Sequence, residues 1–176
     1  MTWTAPNVDR EFTSVSNPER AALQDWLRFH RETLLMKCAG LTPEQLRVAS
    51  VEPSRLTLLG LVRHMAEVER WWFRIRFAQL DIPPLYDQDA VTDDFDPAFD
   101  DLAKADSETD FATFRAECEA SDAAVAEYGL DDVITLPRSG RTMDLRWVYL
   151  HMIEEYARHN GHADLIRERV DGVTGD

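Results

Sequence analysis

The chain has 176 residues, a formal net charge of −14, and 44% hydrophobic and 30% charged residues, enough for one domain with a real core. The acidic balance excludes nucleic acid and anionic membrane as expected partners, since both need a basic face. No apolar run approaches the length that spans a bilayer. The start, MTWTAPNVDREF, lacks a basic segment followed by an apolar one, so a cytoplasmic protein is expected.

Residues 1–16 carry little periodicity and are predicted to lie extended over the surface. Asn17-Pro18-Glu19 is a start signal, with Asn17 as cap, for a helix over 18–39 stopped by Gly40. Its apolar face is Leu23, Trp26, Leu27, Leu34 and Met36, with His30 in the stripe. Thr42-Pro43-Glu44-Gln45 has a capping-box pattern and opens a short extra helix to about Val48. The next long helix covers 57–79. Leu58, Leu61, Met65, Val68, Trp72 and Ile75 repeat on one side, while Arg63, Glu67, Arg70 and Arg74 lie opposite and can pair along the helix. Asp81-Ile82-Pro83-Pro84 ends it.

Residues 81–102 form a long acidic connection broken by proline, either a solvated loop or a flap over a pocket. A further helix is predicted over 110–128, closed by Gly129. Val133, Ile134 and Leu136 followed by Ser139-Gly140 suggest a small hairpin. The last helix covers 145–170, with Thr142 or Asp144 as cap and Gly172 as stop. Four long amphipathic helices predict an all-α four-helix bundle. Cys38 and Cys118 are far apart, without a CxxC pattern, and read as two small core residues.

The last helix carries the unusual feature. His151, Glu155, His159 and His162 fall on one narrow stripe, at i, i+4, i+8 and i+11, flanked by Val148, Met152, Leu165 and Ile166. Buried polar groups without partners are costly, so such a stripe needs a partner, and a divalent metal is the natural one. Glu155 and His159 sit one turn apart, the spacing at which two side chains bind one ion. His64, the only histidine on the second long helix, is the third ligand this pattern offers. Two imidazoles and a carboxylate leave a coordination position open, as catalytic sites do. Zinc suits these ligands, and nickel, cobalt, iron or manganese can use the same set. A hydrogen-bonded network without metal is the alternative use of the three groups. His162 is a residue that orients the ligands or forms a pocket wall, a direct ligand, or a surface residue. His151 is a pocket residue or a hydrogen-bonding partner within the bundle. Gly161 costs helix stability, which a close helix approach or room for a ligand would explain. Arg138, Arg141 and Arg158 are candidates to hold an anionic substrate, or are simply solvated.

Two segments together resemble a known family. One runs Leu61-Val62-Arg63-His64 through Glu69 and Trp72. The other is HMIEEYARHNGHADLIRE, His151 to Glu168. They are similar to the DinB and YfiT superfamily of four-helix-bundle metalloproteins, over roughly residues 17–170. Many members carry HxxxH, then a glycine and a glutamine, on the last helix. Here the two histidine positions hold Glu155 and His159 and the glutamine position holds His162, and a glutamate at the first resembles the mycothiol-dependent branch, which includes maleylpyruvate isomerase and the mycothiol transferases. The resemblance implies one DinB-like domain over 1–176, the ligand set His64, Glu155 and His159, and a bound divalent ion. It also implies a low-molecular-weight thiol such as mycothiol acting on a small-molecule electrophile, and pairing into a homodimer. The expected function is a metal-dependent thiol transferase or isomerase. Hydrolysis by metal-activated water, and a non-catalytic stress-related metal-binding role, are the rivals. GxxxxGK, GxGxxG and GxSxG are all missing from the sequence.

Overall fold

The computed structural model describes residues 3–11, 14–87, 90–92, 95–103, 105–137 and 139–175. Its long helices are α1 (Glu19–Cys38), α3 (Leu58–Glu69), α5 (Ser107–Ala124) and α6 (Leu145–Asp171). Two single turns, α2 (Pro43–Leu46) and α4 (Pro97–Asp100), a π-helix over Arg70–Phe77 that continues α3, and a hairpin of β1 (Val133–Thr135) with β2 (Thr142–Asp144) are the other described elements. α1 packs mainly on α6 and α3 on α5, and the two pairs meet through α3 and α6. This is the all-α four-helix bundle that the periodicity predicts.

Local chemistry sets most helix ends. Thr42 and Gln45 form a complete capping box: the Gln45 N–H donates to the Thr42 hydroxyl at 3.4 Å and the Thr42 N–H to Gln45 Oε1 at 3.0 Å. Asp144, not Thr142, caps α6, accepting the Trp147 N–H at 2.7 Å, because it immediately precedes the first helical residue, Leu145, whereas Thr142 lies two residues further back. Gly172 ends α6 at φ 81°, the left-handed conformation glycine adopts without strain. Asn17 does not cap α1; its amide donates to the Asp25 carboxylate at 2.7 Å. α5 starts a turn earlier than its apolar pattern suggests, because Asp106 accepts the Thr109 N–H at 2.8 Å. α4 lies inside the expected acidic loop, where Asp96 caps and Pro97 fits the first turn.

The N-terminal segment is more than a surface strap. Ala5 is buried, and its N–H and C=O bond the backbone of Leu41 and Gly40 at 2.9 and 2.8 Å. Trp3 meets the Phe111 ring edge-on at 5.5 Å. Trp26 and Leu165, expected in or beside the core, are largely exposed.

After Glu69 the second long helix changes winding, and Arg70–Phe77 is a π-helix, with the Ala78 N–H on the Phe73 carbonyl at 2.9 Å. Met65, Glu69, Phe73 and Phe77 are fully buried. Four-residue steps drift about 40° forward on an α-helix, and the wider turn takes that drift back. The core face therefore continues through Phe73 and Phe77, while Val68, Trp72 and Ile75 stay half-exposed.

At this junction lies a buried charge cluster. Arg31 grips Glu69 through two 2.7 Å bonds and reaches Asp122 at 2.9 Å, and the Tyr156 hydroxyl donates to Glu69 at 2.8 Å. Burial opposes the Arg31 charge, but the Glu69 carboxylate more than offsets it and holds the guanidinium pKa well above its usual value. Replacing Glu69 with alanine strands that charge and is expected to cost about 3–5 kcal/mol in denaturant unfolding; a change within experimental error would refute the cluster's structural role. Gly161 faces open space, and a methyl group added there would meet nothing within 4 Å, so close helix approach does not explain it. Gly161→Ala is accordingly expected to stabilise by about 1 kcal/mol and raise Tm.

Candidate functional site

The rotational settings of α3 and α6 bring the sequence-predicted residues together. Ligand-capable atoms of His64, Glu155 and His159 all lie within 4.8 Å of one another. His159 Nε2 is 3.6 Å from Glu155 Oε2, and the His64 and His159 rings are 4.9 Å apart, edge to face. The three are half-buried, so the cluster sits at the mouth of the bundle rather than in its centre. Burial, and then the neighbouring His159, lower the His64 pKa to about 4. Burial, and then His162 and Arg158, lower His159 to about 4. Both imidazoles are therefore neutral near pH 7 and offer lone pairs. Two neutral nitrogens and a carboxylate converging from two helices are a donor set that fits a divalent ion with room for a further ligand.

The other stripe residues take different places. His162 Nδ1 lies 3.4 Å from His159 Nδ1, on the side of the ring away from Glu155. A hydrogen bond there fixes which His159 nitrogen carries the proton. His151 stacks on Trp147, with ring centroids 5.0 Å apart and planes within 8°, and meets Trp72 edge-on at 4.4 Å. It also comes within 4.8 Å of Glu154 and Glu155. His30 lies apart, half-buried beside Asn160, whose amide donates to the His30 carbonyl at 3.1 Å. Arg158 is tied to Glu154 and Glu155, Arg141 is exposed on the hairpin, and Arg138 lies outside the described residues.

Sequence reasoning missed how the acidic connection meets α3. The outer face of that helix, expected to pair along itself, clasps the connection instead. Arg63, next to His64, donates to the Ala98 and Pro97 carbonyls at 3.0 Å each and to Asp110 at 3.1 Å, and lies over the Tyr86 ring. Glu67 accepts the Leu85 N–H at 2.6 Å. Arg70 and Arg74 both bind Glu117 on α5. Phe99 packs on His64 at 4.8 Å, and a Cβ at Gly60 would stand 2.9 Å from the Phe99 ring. That glycine, one turn before His64, was the available sign of a close approach.

A cavity of about 170 Å³ opens beside His64 under this connection, with Glu67, Val68, Trp71, Tyr86 and Asp96 in its walls. It is sized for the reacting end of a small molecule. A family model described as mycothiol-S-transferase matches residues 22–172. The chain belongs to the mycothiol-S-transferase family. No curated protein and no solved structure matches the chain. Membership points to a small-molecule thiol substrate, and both segments of the initial resemblance fall within the matched region. Among the described residues, no helix is long and apolar enough to cross a membrane.

Metal-free protein should report the two imidazoles through its pH dependence. Their folded pKa values, about 4, lie below the unfolded value of about 6.5, so the unfolded chain binds more protons between those limits. Their contribution to stability is complete above about pH 6.5 and is lost as pH falls towards about 4. Denaturant midpoints measured in chelator should show this loss, and a His64→Asn His159→Gln variant should flatten it. Equal slopes in both proteins would contradict the assignment.

Proposed function

We propose that the protein is a divalent-metal-dependent S-transferase that joins a mycothiol-like thiol to a small electrophile. The observation that carries this reading is the meeting of His64, Glu155 and His159 in a chain of this family. His64 and His159 would hold the ion through neutral nitrogens, and Glu155 would supply the anionic ligand. Zinc fits this set best. When bound, the ion lowers a thiol's pKa and so supplies a nucleophilic sulfur near neutral pH.

The chain's own residues do the rest. His162 holds the His159 ring through Nδ1, leaving Nε2 directed to the ligand position beside Glu155. Phe99 covers one face of His64 and limits water there. The cavity beside His64 seats the electrophile next to the reacting sulfur. With a chloronitroarene, one C–S bond forms and one C–Cl bond breaks; chloride leaves with the bonding electrons and the thiol proton passes to water.

Purified protein should contain about one divalent ion per chain and conjugate 1-chloro-2,4-dinitrobenzene only when thiol is added. His159→Ala should lose the ion and reduce turnover by more than about 100-fold, whereas His162→Ala should weaken metal affinity by about 10- to 100-fold. Metal-free protein with all three ligands intact would overturn the proposal. Thiol-independent hydrolysis would replace it with the water-activating reading, and a metal that raises Tm without any turnover would leave a binding role.

A further inference from the structure

Substrate charge is the property the site leaves open, and the cavity walls bear on it. Two of the side chains beside His64 are carboxylates, Glu67 and Asp96, and two are aromatic, Trp71 and Tyr86. Among the described residues, no lysine or arginine lines the cavity. The nearest guanidiniums are committed elsewhere. Arg63 spends its donors on Ala98, Pro97 and Asp110, and Arg70 on Glu117 and the Pro83 carbonyl. Each aromatic wall already carries an arginine on one face, Arg63 4.5 Å from the Tyr86 centroid and Arg76 4.6 Å from that of Trp71, so both rings are placed to meet a cation through their π-systems.

The wider surroundings have the same sign. The described residues of the connection that supplies Tyr86 and Asp96 (81–87, 90–92 and 95–101) include five aspartates and neither lysine nor arginine. Across the histidine cluster, the aromatic group of Trp72, Trp147 and His151 is bordered by Glu154 and Glu155. Arg158, the one arginine of α6 beside these carboxylates, is paired with both. At the cluster itself Glu155 and the thiol would offset the charge of a divalent ion held there. Glu67 and Asp96 then set the field that an incoming electrophile meets, in a recess whose low-dielectric walls focus it.

We infer that the cavity selects electrophiles carrying an amine or quaternary ammonium group and turns away carboxylates. This rests on the thiol-transferase reading of the site. The cation lies against Trp71 and Tyr86 with Glu67 and Asp96 as counter-charges, while the electrophilic carbon points to the sulfur beside His64. The bond changes are those of the parent reaction; only the charged substituent, remote from the reacting carbon, is recognised.

The test uses metal-loaded protein, thiol, and three chloronitroarenes that differ only in a trimethylammonium, methyl or carboxylate substituent. Each kcat/KM is divided by the rate of the uncatalysed thiol reaction. The ammonium compound should be preferred over the carboxylate by about 10-fold or more at low salt, and less at high salt. Binding of the unreactive probes phenyltrimethylammonium and benzoate, followed by tryptophan fluorescence, should give the same order. Glu67→Gln keeps an acceptor for the Leu85 N–H and should reduce the preference several-fold; Asp96→Asn, which can still cap α4, serves if the first variant does not fold. Equal or reversed preference in an active enzyme overturns the inference alone. Absence of conjugation with all three compounds overturns the thiol-transfer reading, and the probe order then decides the charge preference separately.

Discussion

Glu69 has no exposed surface, yet its carboxylate is held on every side: by Arg31 of α1 through two bonds and by Tyr156 of α6 through its hydroxyl. Ser121 of α5 adds a bond to the Glu69 carbonyl at 3.2 Å, at the residue where α winding gives way to π. One residue thus touches all four long helices. A buried ion pair adds little net stability over a well-packed apolar substitute. What it adds is selectivity, because a bidentate guanidinium and a directed hydroxyl are satisfied in one rotation and one axial setting of each helix. Apolar side chains such as Phe73 and Phe114 would tolerate neighbouring settings at smaller penalty.

That setting is what places the candidate ligands. His64 precedes Glu69 by little more than a turn, and Tyr156 follows Glu155 directly in sequence. The bond between Tyr156 and Glu69 therefore fixes α3 against α6 close to where His64 must meet Glu155 and His159. The buried charge cluster and the half-buried donor cluster are two ends of one register. A site built on two rigid helices and locked from below keeps its donor atoms in place without spending loop order on them.

The second organising feature is the outer face of α3. Gly60, Arg63, His64 and Glu67 lie at i, i+3, i+4 and i+7, so they present one surface, and the acidic connection closes over it. Arg63 bonds the backbone of Pro97 and Ala98, Glu67 the backbone of Leu85, and Gly60 leaves space for Phe99. The acidic run supplies a wall of the cavity because a buried arginine and a buried glutamate each need backbone partners that the run can provide. In sequence, Arg63 and Glu67 look like the solvated face of an amphipathic helix; nothing local distinguishes an arginine facing water from one facing a neighbouring loop.

The sequence by itself determined the long helices and the bundle, because apolar spacing and caps such as Thr42 and Asp144 act within a few residues. It also determined that His151, Glu155, His159 and His162 share a stripe, since one helix's own geometry requires it. It read Trp26 as part of an apolar face, Leu165 as an apolar flank of the stripe and Glu69 as one letter of a motif, because burial depends on which element comes opposite. Tertiary structure alone decided that His64 faces Glu155, that α3 yields to π winding after Glu69, and that Gly161 faces open space. Those outcomes are set by the pairing of side chains from distant parts of the chain, where the cost of an unpartnered buried charge selects one helix register among several that apolar packing would allow.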